Sequence, residues 1–145
     1  MNKILIINGP SIDKIALRDS SIYGDISYEE IVDAIVKTCK IVELDVAIKQ
    51  SNSEGDVIDL IHNAYFEYDG IIINAGGYSH TSVSIRDALE MYNKPKIEVH
   101  MSNIYKREEF RRKSLLSEVV DGVICGFGGL SYAISVMTIS KLLEI

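Results

Sequence analysis

Lys3-Ile4-Leu5-Ile6-Ile7-Asn8-Gly9-Pro10 is the stretch whose reading decides the fold. The apolar run from Ile4 to Ile7 is unbroken, and Asn8-Gly9-Pro10 ends it. A strand with one wet face alternates apolar and polar residues. An unbroken run is how a strand covered on both faces reads, and such strands belong to parallel sheets. Gly70-Ile71-Ile72-Ile73-Asn74 repeats the pattern and opens into the loop Ala75-Gly76-Gly77-Tyr78-Ser79-His80. Further strands are expected at Leu44 to Ile48, at about residues 96 to 100, and at about Val119 to Cys125.

Helical patterns lie between the strands. Ser27-Tyr28-Glu29-Glu30 has the form of a capping box. Ile31, Ala34, Ile35 and Thr38 follow at helical spacing, so a helix is expected to about residue 41. Ser51 to Gly55 opens a second, with Val57, Ile58, Ile61, Ala64 and Tyr65 as its apolar face. Thr81 or Ser82 can cap a third that carries Val83, Ile85, Ala88 and Leu89. A short helix is expected around 107 to 112, and a last one from near Leu130 almost to Ile145. Residues 11 to 24 show no period and read as a long loop, the usual form of an active-site lid. Regular alternation of all-apolar strands with helices implies an α/β chain. The expectation is one flavodoxin-like domain over residues 1–145, its five-stranded parallel sheet ordered 2-1-3-4-5 with helices on both faces.

Bulk properties narrow the function. The 145 residues carry a net charge of −6, which argues against a nucleic-acid or anionic-membrane binder. The run Lys106 to Lys113 is basic, but its acids interleave with its bases, the pattern of a mostly solvated helix face, with one Arg left open as an anion or hydroxyl clamp. Cys39 and Cys125 are far apart in apolar contexts, as buried free thiols in a reducing cytoplasm are. No C-x-x-C or spaced Cys/His cluster suggests zinc. The N-terminal apolar run is too short for a signal segment, and no run reaches the roughly 20 residues of a membrane span. A cytoplasmic protein is therefore expected.

In such sheets ligands bind beyond the carboxyl ends of the strands, where the strand order reverses. Here that is between strands one and three. The loops Asn8 to Gly24 and Asn74 to His80, with Glu98 to Ile104 beside them, hold Arg18, Tyr23, Asn74, His80 and His100. Glu98 and His100 are two apart on a strand and share a face. A carboxylate beside an imidazole fixes its tautomer and raises its basicity. Spacing alone equally allows a surface Glu and a His that ends a strand. Taken singly, Tyr23 also reads as a packed aromatic and Arg18 as a solvated charge. Gly9-Pro10-Ser11-Ile12-Asp13 lacks the composition of a phosphate loop, and Asn8 stands where a response regulator needs an acid. Gly76-Gly77 and the turn Cys125 to Leu130 are compatible with anion binding or with tight turning alone.

Taken together, these segments resemble the type II 3-dehydroquinate dehydratases, or type II dehydroquinases. The likeness covers nearly the whole chain. It rests on Asn8-Gly9-Pro10, Arg18 five residues before Tyr23-Gly24, Gln50 to Gly55, Asn74 to Val83, and Arg86-Asp87-Ala88. It continues through Glu98 to Ile104, Arg107-Glu108-Glu109-Phe110-Arg111 and Gly122 to Gly128. The resemblance implies dehydration of 3-dehydroquinate to 3-dehydroshikimate, in the shikimate pathway or in quinate breakdown, with no metal, cofactor or Schiff base. It implies Tyr23 as base, Arg18 as its activator, and His100 as general acid oriented by Glu98. A phenol has an ordinary pKa of about 10, and a nearby guanidinium favours its anion. Asn74, the amides of Met101 and Ser102, and the Ser102 hydroxyl are implied as the substrate-carboxylate pocket. His80 and Arg111 are implied as hydroxyl contacts. Asp87 would reach a neighbouring subunit's site, in a dodecamer built as a tetramer of trimers.

The likeness departs in the lid. Ser11 stands where the family usually has Asn, whose amide helps hold the enolate. Asp19-Ser20 replaces Glu-Pro, and Ala16 replaces a common Gly. Loss of the proline implies a looser lid. The alternative these departures leave is a flavodoxin-like binding or regulatory module with a decayed lid.

Overall fold

The computed structural model describes residues 1–145. Five strands, β1 Lys3–Asn8, β2 Asp45–Gln50, β3 Gly70–Asn74, β4 Lys96–His100 and β5 Gly122–Cys125, form one sheet ordered β2-β1-β3-β4-β5. All its pairings are parallel. The helices are α1 Ser20–Tyr23, α2 Tyr28–Ile41, α3 Glu54–Glu67, α4 Val83–Met91 and α5 Leu130–Leu142.

The apolar strands are explained by two cores. Ile4 and Ile6 of β1 pack with Ile72, Ile97 and Val99 beneath Ile31 and Ile35 of α2 and Val136 and Ile139 of α5. Leu5 and Ile7 point the other way and pack with Ile71 and Ile73 beneath Val57 and Ile61 of α3 and Ile85 and Leu89 of α4. Each side chain so buried contributes about 1.5–3 kcal/mol, largely offset by the ordering of the chain. A polar residue at any of these strand positions would enter one core or the other.

The helix starts follow their caps. Ser27 Oγ accepts from Glu30 N at 3.1 Å and Ser53 Oγ from Asp56 N at 3.2 Å. Of the two candidate caps for α4, Ser82 does the work, accepting from Ile85 N at 2.9 Å.

Three boundaries differ from expectation. Residues 11–24 are not a plain loop. A 3-10 helix spans Ile12–Leu17 and α1 follows, with Ile12 and Ile15 buried. Their spacing of three matches a 3-10 turn, too short a signal to stand out. The expected helix around 107–112 is two 3-10 turns, Ile104–Lys106 and Glu109–Arg111. The last strand begins at Gly122 because Ser117–Val119 forms a 3-10 turn closed by Val119 N on Leu116 O at 3.0 Å. Asp121 then enters the sheet, its N–H on Lys96 O and its carboxylate accepting from Lys96 N, both at 2.9 Å.

The strand register positions the site. Asn8 stands opposite both Gln50 and Asn74, so β1, β2 and β3 end level. Gly9 N donates to Asn74 O at 2.7 Å, and a Cβ on Gly9 would lie 2.5 Å from Ala75 O. Only glycine lets these two loops touch where the sheet reverses its order.

Candidate active site

A cavity opens at this point, between the lid, the loop after β3 and the end of β4. Arg18, Tyr23, Asn74, His80, His100, Met101, Ser102 and Arg111 all line it. Three of its lining residues are arginines and none is acidic, in a chain whose net charge is −6. Such a cavity selects an anionic ligand.

The lid wall is built on Tyr23, buried at the end of α1. Arg18 Nη2 donates to the Tyr23 hydroxyl, and the Arg18 guanidinium lies 4.2 Å from the ring centroid. Arg107 sits on the same ring at 5.0 Å. Its side chain is only 12% exposed, and its Nη1 donates to Ser102 Oγ at 3.4 Å. Arg107 belongs to the charge run taken for a solvated face. Its burial comes from a tertiary contact with Tyr23, which no spacing signals.

The β4 wall carries the ionic pair. Glu98 is fully buried, which removes the surface-carboxylate alternative. His100 Nε2 donates to Glu98 Oε2. Ser114 Oγ donates to Oε2 at 2.6 Å and Ser117 Oγ to Oε1 at 2.7 Å. Burial by itself raises the Glu98 carboxyl. The bond and charge of His100 and the two serine hydroxyls outweigh burial and hold the group below its ordinary range. His100 Nδ1 has no protein partner, and the ring faces the cavity.

His80 presents a second imidazole, its ring 6.3 Å from that of His100 and 21° from parallel. His80 Nδ1 donates to the Lys113 carbonyl at 2.8 Å, which leaves Nε2 as the free ring nitrogen. No protein acceptor takes the N–H groups of Met101 and Ser102. Gly126 N on His100 O at 3.3 Å and Gly128 N on Met101 O at 2.9 Å hold that segment from the glycine turn after β5. The turn is structural.

Asn74 is oriented by a buried relay whose direction can be deduced. Gly76 N can only donate, and it donates to Asn74 Oδ1 at 3.2 Å. Asn74 Nδ2 therefore faces Tyr132 and donates to its hydroxyl at 2.9 Å. Tyr132 has one proton and gives it to Asn8 Oδ1 at 2.6 Å. Asn8 Nδ2 then reaches Tyr28 Oη at 3.3 Å. Burial raises the Tyr132 hydroxyl well above the usual phenol range, so it stays protonated. The second amide proton of Asn74, not its carbonyl, is thus free to meet the cavity. Tyr132 lies in apolar α5, where nothing in the pattern marks it as part of the site.

Ser11, Asp87 and Glu98 do not line the cavity of the single chain, Glu98 lying buried behind His100. Ser11 is exposed, with its N–H on Asn52 Oδ1 at 3.0 Å. Asp87 is paired with Arg86 at 2.9 Å, its side chain 59% exposed on α4. The Gln50–Gly55 motif braces the loops. Gln50 Nε2 donates to Gly9 O at 3.1 Å, and Asn52 O accepts from the Tyr78 hydroxyl at 2.8 Å. The structure contains no helix long and apolar enough to cross a membrane.

Comparison with known proteins agrees with this geometry. The family model described as Dehydroquinase class II matches residues 2–140. A 3-dehydroquinate dehydratase of Caldicellulosiruptor bescii is 46% identical over 145 residues, 99% of this chain and 100% of the relative. Another, of Thermotoga petrophila, is 44% identical over 142 residues, 98% of this chain and 97% of its own. The crystal structure of type II dehydroquinase from Butyrivibrio crossotus superposes with a TM-score of 0.92 at 44% identity, covering 95% of this chain and 97% of that one. With a family match over residues 2–140 and relatives 44–46% identical over nearly its full length, this chain belongs to the class II dehydroquinase family.

Proposed function

We propose that the cavity binds 3-dehydroquinate and that the protein catalyses its dehydration to 3-dehydroshikimate. The observation that carries this reading is that Tyr23 and His100 line one cavity with three arginines, His100 being bonded from behind to the buried Glu98. The reaction needs a base for the carbon alpha to a ketone, tolerance of an enolate, and an acid for the departing hydroxyl. Ionised Tyr23, its charge met by Arg18 and flanked by Arg107, takes the proton. His100 gives a proton to the leaving hydroxyl, which departs as water. Glu98 balances the imidazolium before that transfer; afterwards Tyr23 releases its proton and the neutral His100 ring regains one through solvent.

The substrate carboxylate fits the donors of Asn74, the free amides of Met101 and Ser102, and the Ser102 hydroxyl. His80 Nε2 and Arg111 face the remaining hydroxyls. Asp87 serves a neighbouring subunit's site within a dodecameric tetramer of trimers, and Ser11 contacts the intermediate through water. The chain works as one domain without metal or cofactor. Its free thiols suit the cytoplasm.

The test mixes purified protein with 3-dehydroquinate and follows the ultraviolet absorbance of the conjugated enone. A flat trace from folded protein would sink the proposal. Borohydride added with substrate should leave activity intact, since no imine forms.

A further inference from the structure

Glu98 is held from outside the sheet. Ser114 and Ser117 lie in the connection between the Glu109–Arg111 turn and β5, and neither lines the cavity. Ser114 Oγ accepts from Leu116 N at 3.1 Å, so its single proton is committed to Glu98 Oε2. Ser117 commits its proton to Oε1. Each carboxylate oxygen therefore has a serine donor, and one also has His100. The strands beside β4 place Ile73 and Val123 opposite Glu98, so His100 is the one charged partner that faces it.

The same connection touches the second imidazole. The Lys113 carbonyl holds His80 through Nδ1, while Leu115 N donates to Ser79 O at 2.8 Å and ties the connection to the loop after β3. Two stacked imidazoles stand in one basic cavity, and a proton must reside on the right one. A carbonyl accepts from a neutral or a charged ring and favours the charged one only modestly. A buried carboxylate favours the charged one far more strongly, through the bond and through its charge. That preference lasts only while the carboxylate is ionised, and burial works against ionisation.

We infer that Ser114 and Ser117 are positioning residues of the reaction: their hydroxyls hold Glu98 as an anion and thereby make His100, rather than His80, the ring that carries the proton to the departing hydroxyl. The inference rests on the proposed role of His100 as acid. It gives the Ser-x-x-Ser spacing a function separate from substrate contact. With both hydroxyls gone, Glu98 would retain a single donor inside an apolar wall and would take up a proton at a higher pH. The His100 proton would lose its partner.

The experiment compares the parent with Ser114→Ala/Ser117→Ala, with Ser117→Ala alone and with Ser117→Thr. Two quantities are read: kcat and KM across pH from enone absorbance, and the ring-nitrogen NMR titrations of His80 and His100. Loss of two hydrogen bonds to a charged group should lower kcat in the double variant roughly tenfold or more, with KM little changed. The acid limb of kcat should move to higher pH. The His100 titration should move to lower pH while that of His80 stays in place. Ser117→Ala should show part of each change, and Ser117→Thr should restore the parent. A folded double variant with unmoved pH profile and unmoved His100 titration overturns the inference. Should that variant fail to fold, Ser117→Ala, which leaves the Ser114 turn intact, decides by the same two readings. The titrations need no turnover. A parent without activity therefore refutes the dehydratase reading by itself, and an active parent with an unmoved variant refutes only the serines' role.

Discussion

The two walls of the cavity are made in different ways. The β4 wall consists of strand residues: Glu98 and His100 are buried, and their backbone is paired with β5, that of Glu98 with β3 as well. The lid wall consists of short turns held by side chains. Ile12 and Ile15 anchor its start, Asp19 caps α1, and Arg18 grips Tyr23. The place of the proposed acid is therefore a property of the sheet, and that of the proposed base is a property of a few local contacts. Damage to the first should appear in stability and activity together, and damage to the second mainly in activity.

Tyr23→Phe gives the largest separation. Removing the proposed base should lower kcat by about 10²–10⁴-fold, with little change in melting temperature, because the ring still fills its place. A large loss of melting temperature would mean that the lid is part of the core. Glu98→Ala should lower both quantities, with a stability loss of about 3 kcal/mol for opening a buried ion pair. The pH dependence has a definite sign. Glu98 is held below its ordinary value of 4.5 when folded. Its stabilisation is thus full above about pH 4.5 and fades as the pH falls through the folded value. Urea unfolding below pH 4.5 should show that limb in the parent and lack it in Glu98→Ala. A limb common to both would assign it to other groups.

The same contrast explains what could be read from the sequence. Unbroken apolar strands report burial on two faces, so the sheet order and the ends of β1, β3 and β4 were legible, and with them the place of the site. The lid was not. Its structure comes from Ile12 and Ile15 three apart and from the Asp19 side chain, which accepts from Ser21 N at 2.9 Å and from Ser21 Oγ at 2.7 Å. One-turn helices have no period to detect. Arg107, Ser114, Ser117 and Tyr132 escaped for another reason: each acts through a partner distant in sequence, and residue type alone suggested solvation or helix packing.

Tyr132→Phe tests the body side at long range. It orphans the Asn8 carbonyl and one Asn74 proton, both buried, at a cost of about 1–3 kcal/mol. KM should rise more than kcat falls, because Asn74 loses the partner that aims it. A stability loss with KM unchanged would leave the relay a purely structural one. Asp19→Ala tests the lid side. An N-cap is worth about 1 kcal/mol, and here the cost should fall on the lid alone. Amide exchange at Ile22 and Tyr23 should quicken and KM should rise, while global unfolding stays put. Global loss instead would erase the distinction between the walls.

Ser11→Asn should have the smallest effect and the opposite sign. Ser11 adopts φ 66° and ψ 4°, the left-handed region, where a side chain other than Asn or Gly is disfavoured. Its N–H must point at Asn52 Oδ1 for the lid to start where it does, so the backbone cannot relax. Asparagine tolerates this conformation better, which is a conformational reason for its frequency at this position among type II dehydroquinases, separate from any contact with substrate. The substitution should slow amide exchange across residues 12–17 by roughly two- to fivefold, a gain of about 0.5–1 kcal/mol confined to the lid. Exchange and kinetics together separate the two reasons. Slower exchange with unchanged kcat assigns the asparagine preference to backbone geometry. Higher kcat with unchanged exchange assigns it to the intermediate.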